Sequence, residues 1–244
     1  MGLGSSIRIA LVRFCSIFYF RKRSKVIFYH DIHSDKQFTE MSTSIDLFKK
    51  HIRIIRNNGY DIVDNITKPT GQIKICFDDA FLGLYKNIEF IKESNIAVQL
   101  FVISSFIGKK NHIDKSQLLE LHNTGLVNIE SHTHTHKILN QISDNEVKYE
   151  LAESKKVLEN LLTKEVNSIC YPEGKFNNRV IDKSKDTGYT KQYSSVPGFY
   201  YNEFFLNVKK RSLVQFADEK EFKAILKGGD HFLAFWYKLK HFIK

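Results

Sequence analysis

Proline is scarce: Pro69, Pro172 and Pro197 are the only three in 244 residues. With no internal repeat and no low-complexity linker either, the sequence marks no domain boundary and reads as one α/β domain. Cysteine is equally thin. Cys15, Cys76 and Cys170 are odd in number, far apart and never in a CxxC pair. That excludes a disulfide framework and a Cys-rich zinc module, and suits a reducing compartment. No apolar run is long enough to span a bilayer. The N-terminal run, residues 7–20, is broken by Arg8 and Arg13, and as a helix would extend only about 21 Å against a hydrocarbon core of ~30 Å. A secretory signal would carry its cations before the run; here Arg21, Lys22 and Arg23 follow it.

Acidic residues are missing from both ends. Residues 1–25 carry six Lys and Arg, and residues 232–244 carry Lys238, Lys240 and Lys244, with no Asp or Glu in either segment. Of the net charge of +10, only +1 falls on residues 26–231. A nucleic-acid partner would call for a basic body, so none is expected. Basic, aromatic ends suit contact with an anionic membrane surface, and packing of residues 7–20 on the core as an ordinary helix is the alternative. The expected location is cytoplasmic and peripheral at a membrane, or anchored by an uncleaved N-terminal segment. The expected division is a basic apolar segment 1–25, a catalytic domain 26–231 and a tail 232–244. With 42% hydrophobic and 26% charged residues, the chain can bury a sizeable core.

Short β-rich runs alternate with longer helical patterns. Strands are predicted at 26–29, 73–77, 98–103, 126–129 and 168–171, and helices at 44–57, 84–94, 115–123 and 144–162. Such alternation indicates a parallel sheet, open or closed into a barrel. The chemically unusual residues fall just after the strands: Asp78-Asp79, then Ser131-His-Thr-His-Thr-His136, then Pro172-Glu-Gly174. The C-terminal ends of parallel strands share one face, so these distant segments should meet in one pocket. An isolated Asp pair is ordinarily a turn or helix cap. Clustered with three His, it reads as a site for one divalent metal, Zn²⁺ by default and Co²⁺, Ni²⁺ or Mn²⁺ as alternatives. One carboxylate would bind the ion while its neighbour served as base.

Cys76-Phe-Asp-Asp79, the His motif and Tyr171-Pro-Glu-Gly174, in this order, resemble the first three motifs of the polysaccharide deacetylases, the NodB-homology group or carbohydrate esterase family four. The opening VIFYHD at 26–31 resembles that family's first strand. The resemblance spans about residues 26–211 and implies a distorted (β/α) barrel that removes N- or O-acetyl groups from sugars with a bound metal. By position it makes Asp78 the general base, Asp79, His132 and His136 the metal ligands, and His134 a bystander. The turn Pro172, Glu173, Gly174 would bind substrate, the Glu173 N–H helping to hold the oxyanion.

The chain departs from the pattern in places. Ala80 stands where the family has Gly, and would be strained at positive φ. Cys170 stands where the third motif commonly opens with Arg, and no Asp-x-x-Asp-Trp motif follows. The late candidates for the general acid are His231 and His241, His231 being taken; His30 also follows a strand. Arg211, in KKRSLV, reads as strand-end charge or as the partner of a site carboxylate. The expected substrate is an acetylated saccharide or glycolipid of a polysaccharide or cell-envelope glycan. The alternatives are hydrolysis of a formyl or other acyl amide on a lipid-linked sugar, and a non-catalytic sugar-binding relative.

Overall fold

The computed structural model describes residues 3–18, 22–201 and 208–242, with side chains from 7 to 237 within those ranges. In chain order the elements are α1 (Leu3–Cys15), β1 (Lys25–Tyr29), β2 (Asp31–His33), β3 (Ser42–Ser44), α2 (Ile45–Asn57), β4 (Asp61–Ile62) and β5 (Gln72–Phe77). Then come α3 (Leu82–Lys86), α4 (Ile88–Glu93), β6 (Val98–Val102), α5 (Lys115–Asn123), β7 (Val127–Ser131), α6 (Asp144–Leu162) and β8 (Ser168–Cys170). The last are α7 (Asn178–Asp186), β9 (Lys191–Tyr193), β10 (Ser212–Leu213), α8 (Glu219–Leu226) and α9 (Leu233–Phe242).

The main sheet runs β10-β1-β5-β6-β7-β8-β9, with β4 beside the start of β5, and every pairing in it is parallel. Its far edge curls back: Tyr193 of β9 pairs in parallel with Lys209, three residues before β10. The expected barrel-type fold is therefore what forms. Strand periodicity sorts the side chains. Val26 and Phe28 of β1, with Cys76, Phe101, Cys170 and Tyr193, make the small interior cluster. Ile27 and Tyr29, with Ile73, Ile75 and Phe77 of β5, face the helices in the larger core. Burial on both faces is why these strands read as unbroken apolar runs rather than alternating ones.

The helices start where their caps dictate. Ser143 and Glu146 form a reciprocal capping box at α6, and Asp114 with Gln117 does so at α5; each such cap contributes about 1 kcal/mol. The single helix expected at 84–94 is instead two, α3 and α4, separated at Asn87. At the break, Asn87 Nδ2 donates to the Gly83 carbonyl at 2.9 Å, while the buried Asp31 carboxylate accepts the Leu84 N–H, in the first turn of α3, at 2.9 Å, holding α3 against β2. A Cβ at Gly83 would lie 2.1 Å from the Ile32 carbonyl, so only glycine permits this approach.

The N-terminal run is a helix docked on α8. Val12 is fully buried, and Arg8 reaches Glu221 at 2.6 Å. No helix among the described residues is long and apolar enough to cross a membrane.

Candidate active site

Asp78 extends β5 by one ladder position, its N–H donating to the Tyr29 carbonyl at 3.0 Å. Two residues after Cys76, it points into the barrel as Cys76 does. There it meets Arg211, whose Nη1 and Nη2 each lie 2.7 Å from a carboxylate oxygen. The guanidinium is wholly buried, donates from Nε to the Ser194 carbonyl at 3.0 Å, and lies over the Phe28 ring at 4.3 Å. Burial alone would raise the Asp78 pKa, but Arg211 outweighs it and holds the carboxyl down to about 2. Arg211 is thus not free strand-end charge; it is the fixed partner of the proposed base. It comes from just before β10, and Cys170 Sγ sits 2.7 Å from its Nη2.

Past Asp78 the backbone turns sharply. Asp79 and Ala80 both have positive φ, +68° and +58°, so the Ala80 substitution does carry strain. The turn is fastened by Ile113 N–H donating to Ala80 O at 3.0 Å and Leu82 N–H to Asn111 O at 2.8 Å. It aims Asp79 Oδ1 at two imidazoles, 3.4 Å from His132 Nε2 and 3.7 Å from His136 Nε2.

The His loop owes its shape to α6. Glu150, buried, accepts the N–H of His134 at 3.0 Å and of Thr135 at 2.7 Å, and the Thr135 hydroxyl as well. Thr133 and His136 also take positive φ, +69° and +63°. His132 Nδ1 is 2.8 Å from the Cys170 carbonyl. A carbonyl can only accept, so Nδ1 carries the proton and Nε2 presents a lone pair. Burial lowers the His132 pKa to about 4, keeping the ring neutral. His134 turns aside to Ser104 Oγ at 2.8 Å and the Tyr149 ring, the bystander its place in the motif implied.

These donors fit a divalent cation. Asp79 Oδ1 is buried without a hydrogen-bond partner, and it faces a neutral imidazole lone pair with no proton between them. Two acceptors held face to face repel unless a cation joins them. Donors about 2.0–2.1 Å from one tetrahedral centre lie roughly 3.4 Å apart, close to the two separations observed. His136 is 32% exposed, leaving one side of the cluster open to solvent.

The turn Pro172–Gly174 follows β8, with φ +54° at Glu173 and +65° at Gly174. A Cβ at Gly174 would fall 2.0 Å from Ser195 Oγ, so this turn closes only with glycine there. Two further side chains pair at this end of the barrel: His30, after β1, places Nδ1 2.6 Å from Gln215 Oε1, and a proton on that ring would add to the positive field at Asp78.

His231 does not join them. It stacks on Phe199 at 4.8 Å, and the charges acting on it are led by Lys210, Lys25, Asp230 and Arg23. Burial among those cations lowers its pKa to about 4. The expected acid role for His231 is corrected on that ground: it belongs to a cluster built on the buried Lys25–Asp230 pair. The side chain of His241 lies outside the described residues.

Comparison with known proteins decides the family. The polysaccharide deacetylase family model matches residues 65–191, just over half of the chain. The chain belongs to the polysaccharide deacetylase family. YxkH of Bacillus subtilis, provisionally named a polysaccharide deacetylase, is 27% identical over 184 residues, covering 71% of this chain and 64% of YxkH. A poly-beta-1,6-N-acetyl-D-glucosamine N-deacetylase of Staphylococcus aureus is 29% identical over 134 residues, covering 49% of this chain and 46% of that enzyme. The chain thus spans less than two thirds of either relative. Among solved structures, the Streptococcus pyogenes deacetylase PplD in complex with acetate superposes with a TM-score of 0.73 at 18% identity, over 83% of this chain and 97% of PplD. That likeness concerns the fold.

Proposed function

We propose that the chain hydrolyses an acetyl group, N- or O-linked, from a sugar of a polysaccharide, glycolipid or cell-envelope glycan. One observation carries the reading: the orphaned Asp79 Oδ1 facing two imidazole nitrogens, beside an Asp78 carboxylate held by Arg211. Family membership supports it, as does the N-acetylglucosamine polymer named for the staphylococcal relative.

Asp79, His132 and His136 would hold one divalent ion, zinc by default. In such a site the ion supplies Lewis acidity toward an acetyl carbonyl and toward water. Asp78 takes the proton of the attacking water. Paired with Arg211 it stays ionised across the neutral range, so it acts by being aimed rather than by being a strong base. The Pro172–Gly174 turn follows β8 at the same strand end, and its Glu173 N–H would be the donor to the developing oxyanion. For the general acid the reading moves to His30. Its Nδ1 proton is spoken for by the Gln215 side-chain oxygen, which leaves Nε2 to deliver a proton to the departing amine or alcohol. The non-catalytic alternative loses much of its motive, since Arg211 and His30 stand in for groups absent from the later motifs.

The test is acetate release from acetylated glucosamine oligomers beside elemental analysis of the protein. Asp78→Asn should abolish turnover with about one divalent ion per chain retained, and His132→Ala should lose both. Full activity in Asp78→Asn would refute the mechanism. Formate released in place of acetate from matched acyl sugars would redirect the reading to another acyl group.

A further inference from the structure

Among the described residues, one face of the molecule is apolar without being covered. A groove of about 740 Å³ runs between α1, α9 and the segment after β10. Its rim is formed by Ile7 and Leu11 of α1, Leu213 and Phe216, and Phe235 and Trp236 of α9, all between 44% and 66% exposed. Phe14 and Phe18 continue the α1 stripe at helical spacing, 60% and 64% exposed, their rings 5.5 Å apart. A contiguous apolar surface drawn from three separate segments marks a binding face.

Its electrostatics point one way. Two acids line the groove, and both are neutralised within the fold, Glu221 by Arg8 at 2.6 Å and Asp230 by Lys25 at 2.5 Å. Arg13 is exposed on α1, and the two terminal segments that supply the helices contain no acid. Phenylalanine and tryptophan beside cations, with both acids that line the groove paired within the fold, match the interfacial layer of a membrane carrying anionic lipid. The groove is also continuous with the catalytic end of the barrel. Gln215, which binds His30, and Ser195, which packs on Gly174, both line it.

We propose that this face docks on an anionic lipid bilayer, seating the rim side chains in the interfacial layer and setting the pocket mouth along the membrane surface. Docking in this sense is independent of acetyl hydrolysis, and its test reads no turnover, so either can fail alone.

Trp236 is the only tryptophan in the chain and stands on the rim, so the unmodified protein carries its own reporter. The full chain is mixed with vesicles of phosphatidylcholine, with and without phosphatidylglycerol. Emission and vesicle flotation are then recorded. The expected result is a blue shift, quenching by brominated acyl chains, and flotation only when phosphatidylglycerol is present. Arg13→Gln should weaken binding about fivefold, the worth of one cation near an anionic surface. Phe216→Asp with Phe235→Asp should abolish it while the melting temperature is kept, since both side chains are exposed. Unshifted emission in excess anionic vesicles would overturn the proposal. So would undiminished flotation of the Asp variants. A shift with monomeric alkyl glycoside but none with vesicles would give the groove to a single amphiphile and overturn it too. A concentration-dependent shift without lipid would give it to a second copy and overturn it likewise.

Discussion

Replacing Arg211 by Met would leave the Asp78 carboxylate buried with no cation opposite it. In the parent the pair is fully enclosed, with two contacts of 2.7 Å between guanidinium and carboxylate. Removing one member of such a pair costs about 3–5 kcal/mol, because the surviving charge must be held in a poorly polarisable interior. In a chain of this size each kcal/mol moves the melting temperature by roughly 2–4 °C, so Arg211→Met should melt about 10 °C lower at pH 7 in a chelating buffer. The pH dependence should invert as well. In the parent, the Asp78 pKa is depressed to about 2 from 3.8. Its stabilising contribution is therefore present above the unfolded value and lost as pH falls through about 2. In the variant, desolvation is opposed only by the weaker pull of His132 and His30, and the pKa rises above the unfolded value. Lowering the pH from 7 toward 5 should then raise the variant's melting temperature relative to the parent. Asp78→Asn with Arg211→Met removes both charges and should recover much of the loss. A single variant melting within about 1 kcal/mol of the parent would refute the reasoning, as would a double variant no better than Arg211→Met.

Three further predictions concern groups around the proposed metal site. His30→Gln should cut acetate release about 10²–10⁴-fold with metal content unchanged, as expected for loss of a general acid. Gln215→Leu, which frees the ring to rotate, should give a smaller loss confined to kcat. Glu150→Gln removes the charge that gathers the His134 and Thr135 N–H groups, and should weaken metal binding about 10–100-fold in a competition titration. Unchanged affinity would mean the loop holds its shape without that carboxylate.

Half of the strands (β1, β5, β6, β7 and β8) and the helices α2, α5 and α6 are legible because each carries its own pattern. Residues 115–123 and 144–162 are helices at the predicted bounds, since polar caps flank an apolar stripe. The site segments are legible for a topological reason: parallel strands deliver their C-terminal ends to one face. What escapes reading depends on contacts far apart in sequence. Asp31 holds the first turn of α3 from 53 residues away. Gln215 reaches His30 across 185 positions, and Arg211 reaches Asp78 across 133. No local pattern says that an Arg in a basic stretch turns inward, and only its late place in the chain favours His231 over His30. Glu150 lies in the middle of a helix whose pattern explains it as surface charge. Burial alone reveals it as the anchor of the His loop.

The guanidinium at Asp78 shows what the chemistry requires of the fold. A carboxylate enclosed in the barrel must have a cation opposite it, yet the requirement fixes a place in space rather than a place in the sequence. Cys170 and Arg211 project from neighbouring parts of the interior, and the thiol is small enough for the guanidinium to lie 2.7 Å from it while bridging both oxygens of Asp78. An Arg at 170 with Arg211 retained would crowd two cations against one carboxylate, at the cost of burying a second charge unpaired. The small residue at 170 and the buried Arg at 211 are therefore one solution, each intelligible only given the other. The same holds for the turn at Asp79 and Ala80. Its left-handed backbone is unfavourable locally, and it persists because the 111–113 segment fastens it, the Ile113 N–H donating to the Ala80 carbonyl and the Asn111 carbonyl accepting the Leu82 N–H. Strain recurs at Thr133, His136 and Glu173, so all three catalytic-end segments are held away from their local preferences by the packing around them. A pocket assembled this way is set by the tertiary fold, which is why its members can be nominated from sequence while their partners cannot.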